Sequence, residues 1–450
     1  MAEEEITAKP NVGETTETPA KKAKAAEKPV VAKPASGSGS RVRFVIVTNG
    51  QGGFNIGHVL ASVLPNKPKI IAVNSSNEDL KNTGLPDEWT FKIGGVNADG
   101  AGKERSTAKT YYKSYKAVNK ATGEELNALS HLIAMYEEVF FHPTDQTIII
   151  CTFSSDGGTG SGIGPMLTAT LTNYMNTCTE FKWGGKSYTI SSDTNDVPRP
   201  VVIGLTTKCS VKSGSKNLQN TIECFLDIQK FIDKGIGNFF IADNNLEGVE
   251  FNGDDEMYRI INARIAAPFV KFFGVEMNSD IKCMDLQDKI NSLRIPGCSA
   301  FASATKDNMF QYVIPRGQST TRTVMMIRHD EENPGEEEQY VKDCLRKLDV
   351  VSFDTTSVFF QIEKSGISTD SVSKDLITSS MIGFFGFHSL NAIVEDLRDN
   401  LHRLQVATSQ RQDVIKNNST GFTSVAEDAA EMSSRFGPKS MDQDSLMDLV

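Results

Sequence analysis

Gly157-Gly158-Thr159-Gly160-Ser161-Gly162 is the stretch on which the reading of this chain turns. It follows the apolar run Thr147-Ile148-Ile149-Ile150-Cys151-Thr152-Phe153, which reads as a buried strand. It precedes Ile163-Gly164-Pro165-Met166-Leu167-Thr168-Ala169-Thr170-Leu171, which reads as a helix. A strand, a glycine turn and a helix start together make a phosphate cradle. Glycine lets the backbone approach an anion closely. The helix start offers free N–H groups and the positive end of a dipole.

Other glycine-rich phosphate motifs fit poorly. A P-loop needs G-x-x-x-x-G-K-[ST]. Gly102-Lys103-Glu104 lacks the hydroxyl, and Gly185-Lys186-Ser187 has Glu180 where the leading glycine belongs. A dinucleotide turn needs G-x-G-x-x-G. Counting from Gly158 the sixth position is Ile163, and from Gly50 it is Asn55. Yet the strand Val42–Val47 does lead into Gly50-Gln51-Gly52-Gly53, so the chain carries two separate glycine cradles.

A chain of 450 residues allows two or three domains with a sizeable core. Its net charge of −10 argues against a general nucleic-acid binder, so no direct nucleic-acid contact is expected from the core. No apolar run reaches 18 residues and the first residues lack a signal-peptide core, so no membrane segment and a cytoplasmic location are expected. The 7 Cys and 6 His are scattered without metal spacing, which fits reduced thiols.

Residues 1–40 are a polar tail, acidic at Glu3-Glu4-Glu5, basic at Lys21-Lys22-Ala23-Lys24 and then Gly/Ser-rich; a flexible linker is the simplest reading. Strands and helices alternate over 41–255, which predicts a parallel sheet covered by helices, with ligand loops at the carboxyl ends of its strands. The polar stretch 179–199 reads as an inserted surface hairpin. Residues 256–290 hold a long helix, with a kink or break expected at Pro268, and a loop beyond it. Strand-like runs dominate 291–400 and predict a smaller α+β domain. A helix from Leu390 to about Ile415 and an acidic tail complete the 401–450 segment. The expected class is thus α/β: a Rossmann-like parallel-sheet domain, a long central helix and a smaller α+β C-terminal domain.

The hexapeptide in its strand–turn–helix setting resembles the signature of the tubulin/FtsZ family of GTPases, in which these six residues wrap the GTP phosphates. Further matches recur in order. Gly50-Gln51-Gly52-Gly53, continued by Asn55 and Gly57, is similar to the family's first phosphate loop. Asn74-Ser75-Ser76-Asn77-Glu78-Asp79 is similar to its Asn-Thr-Asp segment, with Ser where Thr often stands. Gly100-Ala101-Gly102-Lys103 resembles the loop that closes over the γ-phosphate. For the base and ribose the resemblance implies Asn244, within Asp243-Asn244-Asn245, and Asn262 on the central helix; an amide offers both a donor and an acceptor.

Asp285-Leu286-Gln287-Asp288 carries the chemistry that the resemblance implies. Carboxylates at i and i+3 share one helix face. In the family such a pair serves the nucleotide of the next subunit. An alignment through Asp280 finds Cys283 where the second acid belongs, so Asp285 and Asp288 are preferred; the plain alternative is a solvated acidic face. The resemblance covers about 41–400. The acidic end and divergent loops look most like the phage- and plasmid-borne tubulins TubZ and PhuZ. It implies GTP/GDP with Mg²⁺, head-to-tail filaments, assembly-dependent hydrolysis and a role in positioning phage or plasmid DNA through an adaptor or virion partner. An FtsZ-type division ring and a non-polymerising nucleotide-binding metabolic enzyme are the alternatives.

Overall fold

The computed structural model describes residues 41–95, 98–120, 122–190, 197–210, 212–245, 254–274, 284–304, 312–315, 317–328, 334–360 and 379–410. The two tails beyond 41 and 410, and Asn278, Asp280 and Cys283, lie outside the described residues.

The first half runs β1 (Val42–Asn49), α1 (Gly50–Val63), β2 (Lys69–Asn74), α2 (Asn77–Asn82), β3 (Thr90–Lys92) and α3 (Arg105–Lys113). A small hairpin, β4 (Ala117–Val118) with β5 (Glu125–Leu126), then leads into α4 (Ala128–Phe140). Next come β6 (Gln146–Ser154), α5 (Thr159–Thr177), the hairpin β7 (Glu180–Trp183) and β8 (Lys186–Thr189), β9 (Val201–Lys208), α6 (Ser215–Ile232) and β10 (Asn238–Asp243). The chain continues through α7 (Asp254–Gly274), α8 (Leu286–Arg294), β11 (Gly297–Ser303), β12 (Gln318–Arg328), α9 (Pro334–Lys347), β13 (Val350–Phe360) and β14 (Met381–Phe387), and is helical over 391–410.

Ten strands form one sheet in the order β13-β12-β14-β11-β10-β9-β6-β1-β2-β3. From β3 to β11 every pairing is parallel; β14 is antiparallel to both β11 and β12. The chain walks outward from β1 through β2 to β3, then returns to the other side of β1 at β6. The order therefore reverses between β1 and β6, and α/β ligands bind in the crevice at such a switch point. Buried strands alternate their side chains between two cores. Phe44 and Ile46 of β1 enter one with Ile148 and Ile150; Val45 and Val47 enter the other with Ile149 and Cys151. The first core runs on without a break into Phe301, Met325 and Phe385, so β11–β14 share both the sheet and the core of the preceding strands.

Two local expectations need correction. α5 begins at Thr159, inside the glycine hexapeptide rather than after it, because a helix start tolerates glycine where the next turn supplies the apolar face Ile163, Leu167 and Leu171. And α7 runs through Pro268 without ending. Proline removes the donor to the carbonyl four residues back and crowds that turn. Burial of Ala266, Ala267 and Phe269 holds the helix there, and Tyr312 Oη donates to the nearby Ile265 carbonyl at 2.7 Å.

α7 also buries Lys271, only 1% exposed, with Nζ 4.3 Å from the centre of the Phe360 ring and no hydrogen-bond partner among the described residues. Burial pushes its pKa well below the usual 10.5; Glu337 opposes that shift and Arg328 adds to it. Between the depressed native value and 10.5 the unfolded chain binds a proton that the native chain lacks, so stability should rise with pH across that window. Lys271→Met is expected to raise the urea midpoint near neutral pH and to flatten its rise toward alkaline pH, checked by unfolding at several pH values.

Candidate functional site

The carboxyl ends of β1, β2, β6, β9 and β10 open into one cavity of about 660 Å³. Its floor is made by two helix starts. α1 begins directly after Asn49, and α5 directly after Gly158; neither has a side-chain cap or an acid in its first turn. The first N–H groups of both helices are therefore not taken up by a capping side chain, and both dipoles present their positive ends.

The glycines are required by the way the loops meet. Gly50 lies at φ 71°, and a Cβ there would stand 3.0 Å from the Gly160 nitrogen. A Cβ on Gly160 would stand 2.8 Å from the Asn49 carbonyl oxygen. A Cβ on Gly158 would stand 3.0 Å from Ala101 Cβ, the Lys103 carbonyl carbon and the Glu104 nitrogen. Polar bonds close the remaining gaps. The Ser75 and Thr159 hydroxyls meet at 2.7 Å, and Gly100 N–H donates to the Ser75 carbonyl at 3.1 Å. Asn74, buried, organises its own turn: Oδ1 accepts from the Ser75 and Ser76 amides, and Nδ2 donates to Asp79 at 3.1 Å.

Of the residues expected from sequence, Gly50, Gln51, Gly52, Asn55, Gly100, Ala101, Gly102, Gly157, Gly158, Thr159, Gly160, Asn244 and Asn262 line this cavity together. Gly53, Asn74, Ser161 and Gly162 stand behind it. A Cβ on Gly53 would lie 2.4 Å from the Thr152 carbonyl oxygen, and one on Gly162 2.8 Å from that of Arg105, so these two glycines set packing distances. Ser161 Oγ accepts from Arg105 Nε at 3.2 Å.

Sequence reasoning missed several lining residues: Asn49, Ile56, Asp99, Ser154, Asp156, Thr207 and Tyr258. Tyr258 had a usable signal, since it precedes Asn262 by four residues and so shares its helix face. Tyr258 is 51% exposed and lines the cavity, where its ring offers a flat apolar surface.

The charged lining is Asp79, Asp99 and Asp156 against Lys103. Hard carboxylate oxygens beside an anion cradle fit a Mg²⁺ ion. Among the described residues no group of three or more His, Cys, Asp or Glu could hold a metal ion, so the phosphates and water would complete its shell.

Asp285 and Asp288 are exposed and lie outside the cavity. Asp285 is not on the helix face but caps it: its carboxylate accepts from the Asp288 amide at 2.7 Å at the start of α8. The i, i+3 spacing thus serves capping geometry, with Asp285 as the cap and Asp288 inside the first turn. The last turn of α8 sits at the opposite end of the sheet from the cavity. Asn238, the first residue of β10, donates to the Leu293 carbonyl at 3.0 Å, and Arg294 donates to the Arg199 carbonyl at 3.1 Å, just before β9.

No family model and no curated protein sequence matches the chain. Solved structures do. TubZ of Clostridium botulinum phage c-st, lacking its C-terminal tail, superposes with a TM-score of 0.55 at 15% identity over 81% of this chain and 98% of that one. A GTPγS-form protofilament of Bacillus thuringiensis serovar israelensis TubZ gives 0.55 at 13% identity over 82% and 94%. GDP-bound CetZ1 of Haloferax volcanii gives 0.52 at 16% over 81% and 99%. The fold is that of the tubulin/FtsZ proteins. At these identities the likeness is one of fold.

Gly158→Ala is expected to displace loop 101–104 and to weaken guanine-nucleotide binding by at least about tenfold, roughly 1.4 kcal/mol, while the thermal midpoint moves little. Titration with a fluorescent GTP analogue, beside a melting curve, checks this.

Proposed function

We propose that this chain is a tubulin-like GTPase that assembles head to tail, with each nucleotide hydrolysed at the contact between two copies. The observation that carries the reading is that the acidic pair lies outside the cavity, at the start of a helix whose last turn is bonded at the amino ends of β9 and β10, the strand ends remote from the cradle. β10 alone spans six residues, about 20 Å, between those ends. A carboxylate so placed does not reach the cavity of its own chain, whereas stacking one copy on the next brings α8 over the neighbour's cavity. Two of the similar structures support it: the Bacillus thuringiensis TubZ structure is a GTPγS-form protofilament and the Haloferax volcanii CetZ1 structure a GDP-bound monomer.

The residues divide the work as follows. The amides of Gln51, Gly52, Thr159 and Gly160 donate to phosphate oxygens, and Lys103 adds a positive charge from the third loop. Tyr258 stacks on the base, and Asn244 and Asn262 read the base and ribose through their amides. A bound Mg²⁺ would neutralise charge between phosphate oxygens, held through water or directly by Asp79 and Asp156. Asp288 of the next copy orients the attacking water, while Asp285 fixes the helix start that presents it. The cradle amides face the oxygens on which charge develops during transfer. Head-to-tail contacts are heterologous and do not close on themselves, so filaments result. We place these filaments in the positioning of phage or plasmid DNA through an adaptor, a reading that rests on the phage- and plasmid-tubulin resemblance.

Turnover per molecule should rise above a threshold protein concentration, together with light scattering. Asp288→Ala should bind GTP and assemble but lose turnover by about 10²-fold or more. Turnover independent of concentration overturns the assembly reading. Tyr258→Ala should weaken guanine-nucleotide affinity by about 1–3 kcal/mol, read by calorimetry, with inorganic phosphate binding unchanged.

A further inference from the structure

α6 has two faces. Leu218, Ile222, Phe225, Ile228 and Ile232 enter the core. Lys216, Asn220, Glu223 and Asp227, at i, i+4, i+7 and i+11, form a stripe on another face. That stripe meets the segment just after Gly102 residue by residue. Lys216 Nζ lies 2.8 Å from Glu104 Oε1. Asn220 Nδ2 donates to the Lys103 carbonyl at 2.9 Å and to the Asp156 carbonyl at 3.0 Å. Glu223 lies 2.8 Å and Asp227 2.7 Å from the two terminal nitrogens of Arg105.

Arg105 extends the ladder to the hexapeptide. It is 3% exposed, and its guanidinium also donates to the Ser161 carbonyl at 3.0 Å. That carbonyl sits four residues before Pro165, which has no N–H to give it. One buried guanidinium therefore fills a vacancy left by proline in α5 and anchors α3 to α6. On the other flank, Gly158 has no side chain to hold Lys103 and Glu104 away.

Asn220 decides between ordinary packing and a device. It is 2% exposed, and both short bonds go to backbone carbonyls of the two loops that face the cavity. Both amide protons are consumed in joining those loops. Lys103 itself lies at φ 61°, a left-handed conformation that costs a non-glycine residue about 1–3 kcal/mol and persists only when its surroundings impose it. The bond from Asn220 to the Lys103 carbonyl is one such restraint.

We propose that Asn220 and Arg105 are positioning residues for the terminal phosphate: the α6 stripe holds loop 100–105 so that Lys103 meets the γ-phosphate, making α6 the element that sets preference for GTP over GDP. The proposal rests on the GTPase reading above. Asn220 touches no nucleotide in it; it acts through Lys103.

The test is a double-mutant cycle on the full chain with Asn220→Ala, Lys103→Ala and the pair, measuring affinity for GTPγS and for GDP. Each single variant is expected to weaken GTPγS by about tenfold or more, the worth of a hydrogen bond to a charged group, and GDP by no more than about twofold. The pair should lose little more than either single variant, because both act on one contact. Lys103→Arg should restore most of the GTPγS affinity. Lys103 is exposed, so its variants fold even if Asn220→Ala does not. Equal losses for the two nucleotides, or additive losses in the pair, overturn the proposal; so does an unchanged GTPγS affinity in Lys103→Ala. A wild-type chain that binds neither nucleotide overturns the GTPase reading itself.

Discussion

The whole site depends on side chains that are not there. Three loops from distant parts of the chain converge on the start of α5, and the first and third do so because Gly50, Gly158 and Gly160 carry no Cβ. A methyl group at Gly160 would stand 2.8 Å from the Asn49 carbonyl oxygen, closer than such contacts come, and one at Gly158 would stand 3.0 Å from the backbone of the third loop, which would have to shift to admit it. The hexapeptide is therefore a hub before it is an anion site. Its backbone supplies amides to the cavity on one side and a packing surface to the first and third loops on the other. The Ser75–Thr159 contact joins the second loop to the same hub.

The sheet explains why the hub lies where it does. Strand order reverses between β1 and β6, so the loops leaving their carboxyl ends diverge and leave a crevice. α1 and α5 start on either side of that crevice, and their uncapped first turns make its floor an anion surface without a dense cluster of lysines. Lys103 is the only cation in the lining among the described residues, against three carboxylates. On the GTPase reading a polyphosphate would meet amides and dipoles first, and its remaining charge would call for a divalent ion.

Glycine spacing made the phosphate side of the site legible from sequence, because backbone approach leaves a mark in residue type. Gly50 and Gly157–Gly160 could be placed by number for that reason. Gly100, Asn244 and Asn262 were legible only through the family resemblance. The ladder of α6 was not legible, since Arg105 and Asp227 lie 122 positions apart and each alone reads as a surface charge. Thr207 owes its place to being next to last on β9 and Asp156 to standing two residues beyond β6, which composition does not report. Asp285 marks a different limit. Its spacing to Asp288 is what a shared helix face and a helix cap both require, and only the 2.7 Å bond from the Asp288 amide shows that Asp285 is the cap. The continuity of the sheet through β11 was also hidden, because parallel pairing between β10 and β11 leaves no local pattern.

α8 at one end of the sheet and the cradle at the other give each copy two unlike ends. On the head-to-tail reading, a stack of any length leaves one cradle bare and one acidic helix unused. A stack of n copies then holds n − 1 complete sites, and a lone copy holds none. Mean activity per copy follows (n − 1)/n: it is zero for the monomer, half its limit for a dimer, and nearly saturated for long stacks. Such a chain is its own ruler over the short lengths, where each added copy still changes the rate, and is blind to length beyond them.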